Sequence, residues 1–271
     1  MRPVKSKLIN LMMNACNEAS KQIMRDYNEL SFLKSNKNVH EFVERTITRS
    51  FEIMRNVLEN SNSSHGFILS DSWGKFHPTQ VYKFKILKKS ENGYYWLINP
   101  IDNGENFSHR LPFFGIVIAM IENFEINADV PKFNTIAGMF YDPIRLETFW
   151  AEDKLGSFLN SRKLRMENNI DIKLVAGSSR KHETPIANTI LEKNTESICS
   201  RDFGSNAMHL SYLAINRLGA VYDYMDDIAN FAVGSLIIKE ANGNIIFLGK
   251  KFLAINDGAK DLLIKKIEKL N

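Results

Sequence analysis

Two long stretches near the start of the chain carry apolar residues at the spacing of an amphipathic helix. They cover residues 6–27 and 39–58, and their apolar residues recur close to multiples of the helical turn. The apolar positions are Leu8, Met12, Ala15, Ala19 and Ile23 in the first stretch and Val39, Val43, Ile47, Met54 and Val57 in the second. This pattern predicts two helices that each bury one face, joined by the polar segment SFLKSNKN.

After residue 65 the pattern changes to short runs of β-branched and aromatic residues, which predict the strands of a sheet. The runs are GFIL (66–69), VYKFKILK (81–88), YYWLI (94–98), FFGIVIAMI (113–121), IAGMFYD (136–142) and ETFWAED (147–153). The run at 113–121 is continuously apolar, as is typical of a strand buried on both faces. The last two runs are predicted to pair across a turn that contains Asp142 and Pro143.

Beyond residue 170 the pattern alternates between strand and helix. IKLVAGS (172–178) predicts a strand, and helices are predicted at 206–218 and 228–241, the second ended by Asn242 and Gly243. No internal repeat or Pro/Gly-rich linker divides the chain. We therefore expect one unit over residues 1–271. Its candidate subdomains are 1–165, with two helices and a large sheet, and 166–271, a smaller α/β half.

The composition is that of an ordinary globular protein, with 44% hydrophobic residues in 271 and a net charge of +4. The chain has no run of about 18 apolar residues, and its first residues lack the apolar region of a signal peptide. We therefore expect a soluble, cytoplasmic protein without a membrane partner.

Cys16 and Cys199 lack the spacing of a metal site, which predicts two reduced, mostly buried thiols. The mild positive charge agrees with an anionic ligand or an acidic partner and establishes neither.

The segment WLINPIDNGENFSHRLPFF (96–114) resembles a signature of the inositol monophosphatase family. In that signature a tryptophan precedes Asp-Pro-Ile-Asp-Gly-Thr, and Asn-Phe and Pro-Phe-Phe follow. Segments 140–164, 201–224 and 232–243 resemble further parts of the family pattern in the same order. The resemblance implies a mixed α/β fold, a layered α-β-α-β-α sandwich, with Mg²⁺ as cofactor, a phosphorylated small molecule as ligand and a homodimer as the assembly. Among bacterial members the chain is similar to the SuhB branch, which combines phosphatase activity with a role in transcription antitermination.

The family's metal ligands come mainly from carboxylates, because Mg²⁺ prefers hard oxygen ligands. Carried over position by position, the resemblance implies metal ligands at Asp71, Asn99, Ile101, Asp102 and Asn230, with Ile101 acting through its backbone carbonyl. Asn99 and Asn230 stand where the family has aspartates. The four main side-chain ligands thus keep two carboxylates, which predicts weak Mg²⁺ binding that is limited to one ion.

The positions that handle substrate in the family also differ. Asn103 and Gly104 hold the place of the family's Gly-Thr pair, so Gly104 lacks the hydroxyl that helps to activate the nucleophilic water, and no catalytic residue is assigned. Glu105 follows directly and would add negative charge where phosphate should bind. Asp223 stands at the acidic position that contacts substrate hydroxyls in the family. The implied substrate-binding residues are therefore Asn103, Gly104, Glu105 and Asp223.

Three functions remain open from the sequence. The first is a SuhB-like family member with weak or lost hydrolysis and a regulatory or binding role. The second is an active Mg²⁺-dependent phosphatase of inositol monophosphate or a related sugar or nucleotide phosphate, in which Asp226 or Asp227 rebuilds the metal site. The third, nucleic-acid binding alone, has only the mild positive charge in its favour. Each acid also has a structural alternative, such as bracing of its loop by Asp102 or a surface position for Asp223.

Overall fold

The computed structural model describes residues 5–33, 36–70, 73, 84–125, 132–167, 174–177, 199–225, 227–248 and 250–256. Within these ranges the helices are α1 (Lys7–Glu29), α2 (Asn36–Glu59), α3 (Gly104–Ser108), α4 (Asn206–Ala214) and α5 (Ile228–Glu240). None of the described helices has the length and apolar character needed to span a membrane.

Helices α1 and α2 confirm the two predicted amphipathic helices, and most of the predicted apolar positions are buried. In α1 the buried stripe starts at Ile9, and the predicted Leu8 is only half-buried. In α2 the predicted Val39 and Val57 are half-buried, and Phe51 and Leu58 fill the core instead. The apolar spacing thus predicts the helical segments and the centre of the buried face, and misses residues at the edge of that face.

The larger sheet contains the strands predicted between residues 66 and 153. Its strand order is β2-β1-β3-β4-β5-β6-β7-β8, and only the β1–β3 pair is parallel. The strands are β1 (Gly66–Ser70), β2 (Phe84–Lys88), β3 (Tyr94–Asp102), β4 (Gly115–Glu125), β5 (Lys132–Asp142), β6 (Glu147–Glu152), β7 (Gly156–Leu159) and β8 (Arg162–Lys163). Strand β3 continues beyond the predicted end at residue 98, through Asn99 to Asp102. This extension carries two of the candidate site residues.

The smaller sheet has the strand order β10-β9-β11-β13-β12. Its strands are β9 (Leu174–Ala176), β10 (Cys199–Arg201), β11 (Ala220–Tyr224), β12 (Asn244–Leu248) and β13 (Lys251–Ile255). Only β9 lies in a predicted strand, because the other strands are short and mostly lack a clear alternation of apolar residues. Cys199 on β10 is exposed, contrary to the expected burial, whereas Cys16 is buried as expected.

The elements form successive layers. Helices α1 and α2 pack on one face of the larger sheet, around Trp96, Ile98 and Ile116. Helices α4 and α5 pack between its other face and the smaller sheet. The predicted layered α/β sandwich is thereby confirmed, and the described residues form the order α-β-α-β. Helix α5 lies so close to β5 that a Cβ atom on Gly138 would come within 3.1 Å of Val233. The predicted subdomain boundary at residue 165 stays a prediction.

Candidate functional site

The C-terminal end of β3 meets the N-terminus of α5 in the interior of the molecule. Asn99 and Asp102 lie at the strand end, and Asn230 lies in the first turn of α5. Their side chains are at most 4% exposed. Asn230 contacts both of the others through its side-chain amide. The structure therefore brings together three of the residues predicted as metal ligands.

A β-bulge aims Asn99 and Asp102 at the same site. Residues three apart on a regular strand point to opposite faces of the sheet. Here the pairing of β3 with β4 shifts register between Asn99 and Asp102. Pro100 lies inside this shift, and proline has no backbone N–H to donate to a neighbouring strand. The bulge thus re-aims the two side chains so that both reach Asn230.

The metal-binding roles predicted for the backbone carbonyl of Ile101 and for Asp71 stay predictions. The side chain of Ile101 is fully buried in the core beneath α1 and α2. Asp71 lies outside the described residues, as does Asp226, which was considered as a replacement ligand. Asp227 is described, and it is the N-cap residue of α5.

A continuous series of hydrogen bonds joins six buried side chains at this site, which we call the polar network. Its members, in order of contact, are Ser70, Asp227, Asn99, Asn230, Asp102 and Ser205. Asp227 accepts from Ser70 Oγ at 2.9 Å and from Asn99 Nδ2 at 2.9 Å. Asn99 Nδ2 also lies 3.5 Å from Asn230 Oδ1.

Asp102 joins Asn230 to Ser205, the last member of the polar network. Its Oδ1 accepts from Asn230 Nδ2, and its Oδ2 accepts from Ser205 Oγ. A carboxylate only accepts hydrogen bonds, so the amide N–H₂ groups of Asn99 and Asn230 are the atoms that face the two carboxylates. The network therefore alternates between donors and acceptors along its length.

Two members of the polar network also cap helices. Asp227 Oδ1 accepts from the backbone N–H groups of Ala229 at 2.9 Å and Asn230 at 3.0 Å, at the start of α5. Ser205 Oγ accepts from Met208 N at 3.0 Å, at the start of α4. These contacts satisfy backbone donors that a helix leaves unpaired in its first turn. Each carboxylate oxygen of the network thus accepts at least one hydrogen bond.

The side-chain atoms that surround Asp102 and Asp227 do not fit a magnesium ion held between these two acids. Magnesium needs oxygen ligands in near-octahedral geometry, and an amide nitrogen cannot provide one. The amide nitrogens of Asn99 and Asn230 point at the carboxylate oxygens that a cation would use. Within the described ranges, no three His, Cys, Asp or Glu side chains lie close enough together to hold a metal ion. Asn99 Oδ1 is the network's buried acceptor without a partner among the described residues.

The electrostatics of the site raise the pKa of Asp102 into the neutral range. Burial is the main cause, and together with the nearby charge of Asp227 it raises the pKa of Asp102 from 3.8 to about 7. Hydrogen bonds from Ser205, Asn230 and the backbone of Asn103 oppose this rise without cancelling it. Near neutral pH a proton on Asp102 therefore neutralises part of the negative charge of the two buried acids.

The predicted substrate-binding residues Asn103 and Gly104 are held by packing and hydrogen bonds. Asn103 adopts a left-handed conformation, with φ of 65°, and its side chain bonds Asn106 N at 3.1 Å and Phe203 O at 2.9 Å. A Cβ atom on Gly104 would come within 3.0 Å of Trp73 Cβ and Cε3. The Trp73 ring lies 5.1 Å from that of His40. A threonine at position 104 would therefore require Trp73 to move.

Glu105 and Asp223 have different environments. The side chain of Glu105 is 70% exposed and lies 3.1 Å from His109 Nε2. Asp223 is buried, which rules out the surface position considered for it, and its Oδ2 lies 3.3 Å from His209 Nδ1. His209 Nε2 accepts from Phe203 N at 2.9 Å, so Nδ1 carries the proton that is donated to Asp223. Substrate contact by either acid stays a prediction.

Sequence reasoning missed Ser70, Ser205 and Trp73. Ser205 and Asp227 carry a local signal, because Ser and Asp are favoured directly before a helix. Ser70 and Trp73 have no such signal, since their contacts are with residues far away along the chain. The polar network forms only through the tertiary contacts between β1, β3 and the start of α5, which a local sequence pattern does not contain.

Comparison with known proteins gives a match over nearly the whole chain. The model of the inositol monophosphatase family matches residues 4–266. An inositol-1-monophosphatase of Mesorhizobium japonicum is 26% identical over 266 residues, which cover 96% of this chain and 89% of that protein. A protein named Nus factor SuhB, of Pasteurella multocida, is 27% identical over 246 residues, covering 87% of this chain and 83% of that protein.

The fold is also similar to a solved structure. The crystal structure of extragenic suppressor protein SuhB from Bartonella henselae superimposes with a TM-score of 0.74 at 22% identity. The superposition covers 98% of this chain and 100% of that chain. The likeness thus extends over both sheets and the helices between them.

Proposed function

Because the chain belongs to the inositol monophosphatase family, we propose that it is a member with weak or lost Mg²⁺-dependent hydrolysis, acting through binding. The family scaffold is retained, and a phosphorylated small molecule remains the candidate ligand. The regulatory role proposed for it is of the SuhB type. The observation that carries the proposal is the polar network, in which amide groups face the carboxylates.

The charge of the site supports weak hydrolysis. In metal-assisted phosphate chemistry, cations neutralise the phosphate and activate water. At this site Asn99 and Asn230 donate to Asp227 and Asp102, so the carboxylate oxygens are already paired. A phosphate monoester would meet these acids without the cations that normally offset its charge. Its binding at the reactive position is disfavoured for that reason.

The surroundings of α3 support the same proposal. Gly104 offers no hydroxyl to orient an attacking water, and Trp73 packs against it at contact distance. Glu105, in the first turn of α3, adds a negative charge at the place where the family resemblance puts phosphate. Three independent features at this end of β3 therefore act against the family's chemistry.

Purified full-length protein is expected to release phosphate slowly from inositol 1-phosphate, fructose 1,6-bisphosphate and nucleoside monophosphates. The assay is run with saturating Mg²⁺ and then Mn²⁺, and we expect turnover below about 0.01 per second, whereas enzymes typically reach ~1 per second or more. The inositol-1-monophosphatase of Mesorhizobium japonicum, prepared in the same way, is the positive control. Turnover above about 1 per second on any of these substrates would show an active phosphatase and overturn the proposal.

The regulatory part of the proposal names the transcription antitermination machinery as partner, with the chain acting as a cytoplasmic homodimer. Its support is the similarity to relatives named Nus factor SuhB, including one of Escherichia coli at 26% identity. Immobilised full-length protein is expected to retain RNA polymerase from a lysate of its own cells after nuclease treatment. The Mesorhizobium japonicum enzyme, immobilised at the same density, is the comparison. Equal recovery on both, or none on either, would contradict the partner.

A further inference from the structure

We propose that the polar network is a cation-independent latch that holds the larger sheet to helices α4 and α5. The inference rests on the proposed function only in taking the site to work without a metal ion. It assigns the six side chains a role in joining two parts of the fold, which is separate from any role in binding a ligand.

The first argument is the direction of the contacts. Ser70, Asn99 and Asp102 lie on strands β1 and β3 of the larger sheet, whereas Asp227 and Asn230 lie at the start of α5. Ser205 lies at the start of α4. All five side-chain contacts of the network run between these two groups, across sequence separations of 103 to 157 residues. None of them links neighbours within one element, so their combined effect is to tie the sheet to the helix layer.

The second argument is the matching of charge. Asp102 and Asp227 are buried, and a buried carboxylate without a partner is strongly unfavourable. Hydrogen bonds to an ionised acceptor are about twice as strong as neutral ones, and Asp227 receives one from the amide of Asn99, while the amide of Asn230 donates to Asp102. An aspartate at position 99 would instead place a third carboxylate about 3 Å from Asp227, where the like charges would repel. The asparagines therefore make the contact favourable in the absence of a cation.

The third argument is that the latch anchors the helix ends. Asp227 accepts from two backbone N–H groups of α5 and from two side chains of the sheet. Ser205 caps α4 while it donates to Asp102. Loosening of the sheet contacts would therefore also disturb the first turns of both helices. Such shared groups make the junction cooperative.

The first test measures the thermal unfolding of wild-type protein with EDTA and with excess Mg²⁺. We expect the midpoint to stay within about 1 °C between the two conditions, because a ligand shifts the midpoint only when it binds the folded state. A rise of several degrees with Mg²⁺ would show that cations belong to the junction and would overturn the latch. If Mg²⁺ raises the midpoint but no phosphate is released, the latch is wrong and the proposed function stands. If phosphate is released and the midpoint does not change, the proposed function is wrong and the latch stands.

The second test compares two buried serines. Ser70→Ala removes one contact between sheet and helix, whereas Ser50→Ala alters a fully buried hydroxyl on α2 that has no hydrogen-bond partner among the described residues. We expect Ser70→Ala to lower the midpoint by about 2–4 °C and Ser50→Ala to leave it unchanged or raise it. Equal midpoints for the two variants would overturn the latch.

The third test adds charge. Asn99→Asp is expected to lower the midpoint in EDTA by about 5 °C or more, with part of the loss recovered in Mg²⁺. Asn14→Asp, at an exposed position of α1, controls for the added charge. It is expected to leave the unfolding midpoint unchanged both in EDTA and in Mg²⁺. An Asn99→Asp midpoint that matches the Asn14→Asp midpoint would contradict the latch. If Asn99→Asp does not fold, the comparison of the two serine variants decides.

Discussion

Replacement of Asp227 by alanine is expected to lower the free energy of unfolding by about 3 kcal/mol. The N-cap of α5 contributes about 1 kcal/mol of this loss. The remainder arises because Ser70 Oγ and Asn99 Nδ2 lose the acceptor that lies 2.9 Å from each, inside the protein. Relief of the repulsion between Asp227 and Asp102 returns a smaller amount. Urea unfolding followed by circular dichroism measures the difference.

The matched variant is Asp227→Ser. A serine keeps the capping oxygen for the first turn of α5 but is too short to reach Asn99. It should therefore recover about 1 kcal/mol relative to Asp227→Ala and no more. A stability of Asp227→Ala within about 0.5 kcal/mol of wild type would show that the network contributes little, since surface changes have effects of that size.

The contribution of Asp102 to the stability of the protein is expected to fall as the pH rises from about 4 to 7. Its pKa is about 7 in the folded protein, against 3.8 as the ordinary value. The folded state therefore holds a proton that the unfolded state releases. The associated stabilisation is complete below pH 3.8 and is lost as the pH passes through 7. The difference corresponds to on the order of 4 kcal/mol.

Other acids have the opposite effect, because the pKa values of Glu59 and Asp153 are lowered by their lysine partners. The measurement is thus the difference in free energy of unfolding between wild type and Asp102→Asn at several pH values. The amide can still accept from Asn230, so Asp102→Asn is expected to gain stability relative to wild type as the pH rises to 8. Parallel pH curves for the two proteins would show that Asp102 does not titrate in this range.

The sequence predicted the elements whose side chains follow a regular period. The spacing of Met12, Ala15, Ala19 and Ile23 marked α1, and the apolar run at 113–121 marked β4. The strands β10 to β13 lack such a signal. Phe252, Leu253 and Ala254 are buried on β13 through contacts that β11 and β12 provide. Tertiary pairing, which a local pattern does not contain, decides such short strands.

For the site, the resemblance placed Asn99, Asp102 and Asn230 correctly as neighbours, as their hydrogen bonds show. It did not show that the asparagine amides face the acids. That arrangement depends on the bulge at Pro100, which turns both β3 side chains to one face. It also depends on Ser70 and Ser205, whose hydroxyl groups come from distant parts of the chain. The sequence therefore predicted which residues meet at the site, but not that the amide nitrogens of the asparagines point at the carboxylates.

The polar network also affects which substitutions could build a metal site at this position. An aspartate at position 99 alone would place its carboxylate beside that of Asp227 without a complete set of metal ligands, which is expected to lower the stability. A threonine at position 104 likewise requires Trp73 to shift by a few tenths of an ångström. Construction of a metal site here is therefore expected to need several substitutions made together, because neighbouring substitutions are not additive. Engineering that changes these positions one at a time is expected to lose stability before it gains metal binding.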